Sequence, residues 1–238
     1  MFTRPHHQRI AKVLESLDTD LLKRHNCLFA GGTAIALGYG EYRESVDIDF
    51  LVSDLASYRY LRNSVREQGL QVLMKSTDAS QLQTSDIRSD QYGIRTKVFV
   101  EGKPIKFEIV LEGRISLAKP GKKDSVLGVA TLMKIDMAVS KLLANSDRGL
   151  DMGMHCRDVI DLAMLNLSKA EFAEATTKGE AAYGEAILKD LAKVIDMLGE
   201  ANGLLERCMT AMDVSVPRAL LWQNISKVKS YIANGIPN

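Results

Sequence analysis

Two aspartates one residue apart lie in an apolar stretch, Val46-Asp47-Ile48-Asp49-Phe50-Leu51-Val52. A β-strand places residues i and i+2 on the same face, so Asp47 and Asp49 are expected to project together while Ile48 and Phe50 point into a core. Two neighbouring carboxylates repel each other and favour a bound cation. Hard oxygen ligands of this kind suit Mg²⁺, which typically takes one or two protein carboxylates together with substrate phosphates. The pattern therefore predicts a Mg²⁺ site for phosphate chemistry.

A third carboxylate, Glu108, interrupts a second apolar strand. Ile105, Phe107 and Ile109 share one face of that strand, and Glu108 lies on the other. If the two strands are neighbours, Glu108 joins Asp47 and Asp49 as a catalytic residue and metal ligand, and the three carboxylates hold one or two Mg²⁺ ions. A single Asp-x-Asp is more often merely exposed to solvent, but the clean alternation and the apolar flanks favour the metal site here.

A glycine pair, Gly31-Gly32, follows a short buried segment and precedes Thr33 and an apolar helix. Glycines permit close backbone approach, and the N–H groups at the start of a helix favour a phosphate oxygen. Thr33 adds a hydroxyl donor or caps the helix. By itself the pair indicates only a tight turn, but its position shortly before the aspartates favours binding of a nucleotide phosphate.

The elements around these residues predict an α+β fold. The 238 residues are 46% hydrophobic, which is enough to bury a core. Strand patterns alternate with helix patterns up to residue 111, and from residue 131 every periodic segment is helical. We expect an α+β domain over residues 1–126 and a helical domain over residues 127–238. The principal predicted elements are a first helix with apolar residues from 10 to 22 that ends near residues 24–26, strands over 27–30, 46–52, 71–75, 94–100 and 105–111, and a helix over 55–68.

Composition excludes several classes of protein. The formal net charge of +1 provides no overall field for nucleic acid or for an acidic membrane. Three scattered cysteines without a Cys-x-x-Cys pair argue against a zinc site and against a disulfide framework. No apolar run is long enough to span a membrane, and the N-terminus, with His6 and His7 expected in solvent, lacks a signal peptide. The chain is expected to be cytoplasmic.

The motifs together resemble a known family. The segment Gly31-Gly32-Thr33-Ala34-Ile35-Ala36-Leu37, followed by Arg43-Glu44-Ser45-Val46-Asp47-Ile48-Asp49-Phe50, is similar to the pattern of the AbiEii/AbiGii toxin type, within the DNA polymerase beta-like nucleotidyltransferase superfamily. The resemblance implies a mixed-sheet nucleotidyltransferase head followed by an all-helical C-terminal half. It also implies that the two aspartates bind metal and that the glycine turn with Thr33 meets the nucleotide phosphates. We further expect Arg43 and Ser45 to orient the loop before the aspartates and Arg43 to contact a phosphate of the nucleotide.

The likeness continues downstream with less specific motifs. Members of the family carry a helix with a lysine that contacts the triphosphate, and then an Arg-Asp-x-x-Asp segment. The resemblance assigns the first role to Lys141, although Lys134 lies on nearly the same helix face, and makes Asp158 and Asp161 active-site support or nucleotide contacts. Negative charge at a helix N-terminus would explain Asp158 equally well.

These residues predict a Mg²⁺-dependent nucleotidyltransferase. Its donor is a nucleoside triphosphate, and its acceptor is RNA, a protein or a small molecule. The family analogy adds that the enzyme is a toxin with an antitoxin partner. Two alternatives stay open: a small-molecule nucleotidyltransferase of the aminoglycoside type, and a non-catalytic nucleotide-binding protein that has the same fold.

Overall fold

The computed structural model describes residues 2–75, 83–200 and 203–233. The chain forms two compact units. The first contains residues 1–38 and 45–133, and the second contains residues 39–44 and 134–238. In chain order the helices are α1 (Pro5–Ser16), α2 (Thr19–Arg24), α3 (Gly31–Gly38), α4 (Leu55–Gln68), α5 (Lys134–Arg148), α6 (Arg157–Met164), α7 (Lys169–Tyr183), α8 (Ala186–Glu200), α9 (Leu204–Ala211) and α10 (Arg218–Ala233). The strands are β1 (Leu28–Ala30), β2 (Asp47–Val52), β3 (Gln83–Thr84), β4 (Arg88–Ser89), β5 (Gly93–Val100), β6 (Lys103–Leu111), β7 (Ser125–Val126) and β8 (Val129–Ala130).

The first unit is built on a mixed sheet in the order β1-β2-β6-β5-β3, with β4 also paired to β5. Strands β2 and β6 run parallel, whereas β1 pairs antiparallel with β2 and β5 pairs antiparallel with β6. The two-residue turn at Glu101-Gly102 joins β5 to β6. Because β2 and β6 pair, the strand of Asp47 and Asp49 is a direct neighbour of the strand of Glu108. The prediction that the three carboxylates lie on one face of the sheet required this arrangement.

One face of this sheet forms the core of the first unit. Phe50 on β2 contacts Phe29 on β1 and Phe107 on β6, with ring centroids 5.6 Å apart in both pairs. Helices α1 and α4 contribute apolar side chains to the same cluster, because their apolar residues recur at helical spacing. The buried apolar side chains on this face of β2, β5 and β6 are Ile48, Phe50, Val52, Ile94, Val98, Ile105, Phe107 and Ile109, and the buried Thr96 lies between Ile94 and Val98.

The second unit is helical, as the sequence predicts. Helix α5 packs against α6, α7 and α8, while α10 packs against α6 and α8. The segment Tyr39–Glu44, which lies between α3 and β2 in the chain, belongs to this unit. The α+β head and the helical C-terminal half are therefore confirmed. Among the described residues no helix is long and apolar enough to cross a membrane.

Three features differ from the sequence-based expectations. The predicted first helix ends at Ser16, because Leu17 is extended, and a second helix starts after Asp18, whose side chain accepts from backbone N–H groups and caps α2. The strand predicted over residues 71–75 is wrong, since Leu70–Leu73 forms a 3₁₀ helix. The first unit also extends beyond the predicted boundary at residue 126, because Leu132 donates its backbone N–H to the carbonyl oxygen of Phe29 at 3.2 Å.

Candidate functional site

Asp47 and Asp49 lie on the face of β2 opposite the core. Burial alternates along the strand, with Ile48 and Phe50 fully buried and the two aspartates partly exposed. The alternation follows from the two-residue period of a strand, since the apolar side chains on one side force the polar ones to the other. The predicted placement of the two carboxylates on one face is confirmed.

Glu108 lies on β6 directly beside Asp49, and Lys106 lies beside Asp47 in the same parallel register. The Glu108 carboxylate receives Lys106 Nζ at 2.8 Å and Arg95 Nε at 3.2 Å. Arg95 projects from β5, where it is paired with Glu108 across the sheet. The side chain of Glu108 is only 14% exposed, and both of these cations pair with its carboxylate.

The charges on this face affect one another. Partial burial tends to lower the pKa of Lys106, but the hydrogen bond and ion pair with Glu108, helped by the charges of Asp47 and Asp49, raise it above the ordinary value. The negative charges of the two aspartates therefore contribute to the raised pKa of a lysine on the neighbouring strand. A cation at this end of β2 would be attracted by the same charges.

The two aspartates fit a Mg²⁺ ion as a donor set, since that ion commonly takes one or two protein carboxylates and completes its shell with water and phosphate oxygens. Within residues 2–75, 83–200 and 203–233, no group of three or more His, Cys, Asp or Glu side chains is arranged to hold a metal. The Glu108 carboxylate is paired with Arg95 and Lys106 in this structure. The ligand role of Asp47, Asp49 and Glu108 stays a prediction.

The glycine turn lies against Asp49. Gly31 has a φ of +72°, a backbone conformation that residues with a side chain rarely adopt. A Cβ atom built on Gly31 would lie 2.6 Å from Asp49 Oδ2. The backbone can approach the carboxylate only because Gly31 has no side chain. Helix α3 begins at Gly31, so the N–H groups of its first turn, including that of Gly32, start next to the acidic pair.

Thr33 and Ser45 connect the glycine turn to β2. Thr33 is buried, and its hydroxyl donates to the backbone carbonyl oxygen of Asp47 at 2.5 Å. Thr33 Oγ1 also lies 2.8 Å from Ser45 Oγ. Since a hydroxyl carries one proton, Thr33 accepts from Ser45 in this arrangement. The two side chains order the entry to β2, and the nucleotide contacts predicted for them and for the two glycines stay predictions.

In the second unit a buried network forms around Asp161. Arg43 donates Nε to Asp161 Oδ1 at 2.6 Å and Nη2 to Oδ2 at 2.8 Å, which is bidentate pairing. Tyr42 donates its hydroxyl to Oδ1 at 2.6 Å, and Lys141 Nζ lies 2.7 Å from Oδ2. Burial opposes ionisation of Asp161, but Lys141 and Arg43 hold the pKa of its carboxyl below the ordinary value.

Asp158, in the first turn of α6, extends this network. Lys141 Nζ lies 3.0 Å from its Oδ1, and Arg148 donates Nε to Oδ2 at 2.8 Å. Burial again opposes ionisation, and again the neighbouring cations lower the pKa of Asp158 well below its ordinary value. Helix-terminal charge alone therefore does not account for Asp158, because it also pairs with Lys141 and Arg148.

The sequence-predicted site residues thus fall into two groups. The first unit contains the acidic residues of β2 and β6 with the glycine turn, Thr33 and Ser45. The second unit contains Arg43, Lys141, Asp158 and Asp161, and the two cations of this group are both 4% exposed. Their buried pairing supports a structural role, and the nucleotide contacts implied by the family resemblance stay predictions.

Sequence reasoning missed four residues on the first unit. Lys106 could have been found, since it precedes Glu108 by two residues and so shares its face. Arg95 carries no such signal, because only the register between β5 and β6 brings it to Glu108. The expectation that His6 and His7 are solvated is wrong for His7, which is fully buried, and His6 bonds to a backbone carbonyl.

Comparison with known proteins identifies the family and the fold of the chain. The model of a family described as "Nucleotidyl transferase AbiEii toxin, Type IV TA system" matches residues 12–212. The crystal structure of JHP933 from Helicobacter pylori superposes with a TM-score of 0.55 at 16% identity, covering 98% of this chain and 93% of that one. MenT4, a nucleotidyltransferase toxin from Mycobacterium tuberculosis H37Rv, superposes with a TM-score of 0.52 at 15% identity, covering 97% and 86%. No protein in the curated comparison matches. At these identities the structural likeness establishes the fold.

Proposed function

Because the chain belongs to the AbiEii family of nucleotidyl transferase toxins, we propose that it moves a nucleoside monophosphate from a nucleoside triphosphate to an acceptor hydroxyl, with Mg²⁺ held by Asp47 and Asp49. The acceptor oxygen bonds to the α-phosphorus, the bond from that phosphorus to the β-bridging oxygen breaks, and pyrophosphate leaves with that oxygen. Bound Mg²⁺ supplies positive charge for the attacking and leaving oxygens. The observation that carries the proposal is the pair of carboxylates on the outer face of β2, with the Gly31 backbone against Asp49.

The start of α3 binds the phosphates of the donor. Its first N–H groups have no partner within the helix, and the helix dipole favours an anion at this end. Gly31 places this turn against Asp49, which supports phosphate binding there because a Mg²⁺ ion shared by carboxylate and phosphate needs both within a few ångströms. Thr33 and Ser45 hold the intervening loop in place.

Glu108 accepts the proton of the acceptor hydroxyl and joins the aspartates as a third ligand. To do so its carboxylate exchanges at least part of its pairing with Arg95 and Lys106. Both cations are partly exposed, at 40% and 50%, so they are able to move with their bound anion or turn to a phosphate oxygen. The roles proposed for Glu108, and not the binding of Mg²⁺ by the two aspartates, therefore depend on a local rearrangement.

The acceptor is RNA, a protein or a small molecule, and the toxin is neutralised by an antitoxin. The donor nucleotide places the reaction in the cytoplasm. A small-molecule transferase of the aminoglycoside type differs in transferring label to a low-molecular-weight acceptor. A non-catalytic binding protein differs in binding nucleotide without releasing pyrophosphate.

The proposal is tested by incubating the purified chain with each α-³²P-labelled nucleoside triphosphate, Mg²⁺ and separated RNA, protein and small-molecule fractions of a cell extract. Label should enter one fraction, and Asp47→Asn should abolish its transfer while keeping the far-ultraviolet circular dichroism of the native chain. Label in the low-molecular-weight fraction would favour the aminoglycoside-type alternative. Nucleotide binding without label transfer in any fraction would favour the non-catalytic alternative and refute the proposal.

A further inference from the structure

Two adjacent histidines of α1 bind the backbone of the loop that enters β2. The backbone N–H of Ser45 donates to His7 Nε2 at 3.1 Å, and His6 Nε2 lies 2.9 Å from the carbonyl oxygen of Val46. Both contacts join segments almost forty residues apart in the chain, so they are features of the tertiary fold. Asp47 is the next residue along the chain.

Residues 45 and 46 lie outside the strand, which begins at Asp47. The N–H of Ser45 and the C=O of Val46 therefore take partners other than a sheet ladder. The two histidines provide these partners. They substitute for the strand pairing that fixes the rest of β2.

The partners also specify the tautomer of each ring. His7 accepts through Nε2, so its proton resides on Nδ1 and the ring is neutral. His6 donates through Nε2 to the carbonyl oxygen of Val46, and its Nδ1 lies 3.2 Å from an Arg9 guanidinium nitrogen, a donor. One histidine thus accepts and the other donates. A side chain that cannot accept would fail at position 7, and one that cannot donate would fail at position 6.

The position of His7 is strongly constrained. Its side chain is fully buried, and the Phe2 ring meets it edge-on, with centroids 6.5 Å apart. The loop it holds is bonded on the other side through Ser45 Oγ to Thr33, and Thr33 in turn donates to the carbonyl oxygen of Asp47. A displacement of the loop from His7 therefore moves the backbone of Asp47 as well.

We infer that His6 and His7 are positioning residues for the acidic pair: they hold the Ser45-Val46 backbone so that Asp47 is presented to the metal and the nucleotide. The inference rests on the proposed function for its catalytic consequence. Its structural part, the restraint of the loop, is independent of any reaction.

The decisive comparison is between His7→Gln and His7→Met. The two side chains are of similar length and flexibility, but only Gln offers an oxygen that accepts from Ser45 N–H near the position of Nε2. We expect His7→Met to lower kcat about tenfold, the effect of losing one hydrogen bond that positions a catalytic group, with the KM for triphosphate changed less than twofold. His7→Gln should retain kcat within about threefold. If His7 served only to stabilise the fold, His7→Gln and His7→Met would both contain the same reduced fraction of active enzyme.

Hydrogen exchange of the Ser45 amide provides a readout without substrate. It should be slow in the native chain and in His7→Gln, and at least tenfold faster in His7→Met. If the native chain has no transferase activity but the exchange pattern holds, the proposed function fails and the restraint stands. Equal Ser45 exchange in the native chain and in His7→Met, or equal loss of kcat in both variants, would overturn the inference.

A second pair of variants covers the case in which His7→Met does not fold. His6 is only half-buried, so His6→Gln and His6→Met are expected to fold. The first retains a donor for the Val46 carbonyl oxygen and should keep native kcat, whereas the second should lower it several-fold. Identical kcat in the two His6 variants would contradict the donor role.

Discussion

Replacing Gly31 with alanine is the sharpest perturbation of the acidic pair that leaves every charge in place. The added Cβ would lie 2.6 Å from Asp49 Oδ2, whereas ordinary contacts begin at 3.4 Å. The carboxylate, the turn or both must therefore move by about 0.8 Å. A misplacement of about 1 Å at a reacting centre costs about 100-fold in rate. That factor corresponds to about 2.7 kcal/mol in the activation free energy.

Gly31→Ala also has a backbone cost unrelated to Asp49. A residue with a side chain at a φ of +72° loses about 1 kcal/mol of stability. Gly102 supplies the matched control, because it has the same φ of +72° and nothing lies within 4 Å of an added Cβ. Gly102→Ala should therefore lose about 1 kcal/mol in urea unfolding and retain its activity. Gly31→Ala should lose at least as much free energy of unfolding, and its activity should also fall about 100-fold.

The assay is pyrophosphate release from nucleoside triphosphate with Mg²⁺ and the acceptor fraction, measured alongside urea unfolding of the same preparations. The expected result is a fall in kcat/KM of about 100-fold for Gly31→Ala and less than twofold for Gly102→Ala. If Gly31→Ala kept kcat/KM within threefold of the native value while folding normally, close approach of this backbone to Asp49 would be irrelevant to the reaction.

Three further predictions concern the charged residues. Lys106→Met removes a positive charge from the acidic face, so isothermal titration calorimetry should show that Mn²⁺ binds about threefold more tightly. Lys103 is exposed, and Lys103→Met should leave the Mn²⁺ affinity unchanged as a control. Weaker Mn²⁺ binding by Lys106→Met would contradict this prediction. Arg43→Met leaves Asp161 buried with fewer partners and should cost about 3 kcal/mol in urea unfolding; a loss below about 1 kcal/mol would contradict a stabilising pair. Because the folded pKa of Asp158 lies below its unfolded value, its contribution is fully present above about pH 4 and declines as the pH falls towards the folded pKa. When the pH is lowered from 5 to 2.5, the free energy of unfolding of Asp158→Asn should therefore fall less than that of the native chain. Equal decreases in the two proteins would refute this.

Much of the first unit could be predicted because its signals are local. The two-residue period of β2 places Asp47 and Asp49 on one face regardless of what surrounds the strand. Helix α4 matches its predicted bounds because Asp54 caps it, accepting from the backbone N–H of Ser57, and Gly69 follows its last residue. A sequence motif or a residue period was sufficient to predict an element wherever the interaction that determines its structure lies within a few residues.

The rest depends on contacts between distant segments. The pairing of Glu108 with Arg95 follows from a cross-strand register that no local pattern specifies. His7 bonds to Ser45, which lies 38 residues further along the chain, and its burial was unexpected so close to the N-terminus. The bidentate partner of Arg43 lies 118 residues away, so a motif that resembled a nucleotide contact could not reveal its ion pair.

The central claim is that the acidic pair directs nucleotidyl transfer, and the position of the label in the donor tests it most directly. Parallel reactions would contain the same triphosphate labelled at the α- or the γ-phosphorus, with Mg²⁺ and the acceptor fraction. Nucleotidyl transfer by the acidic pair should give α-label in the acceptor, γ-label in released pyrophosphate, and neither product with Asp49→Asn. Transfer of γ-label to the acceptor, or unchanged α-label transfer by Asp49→Asn, would contradict it.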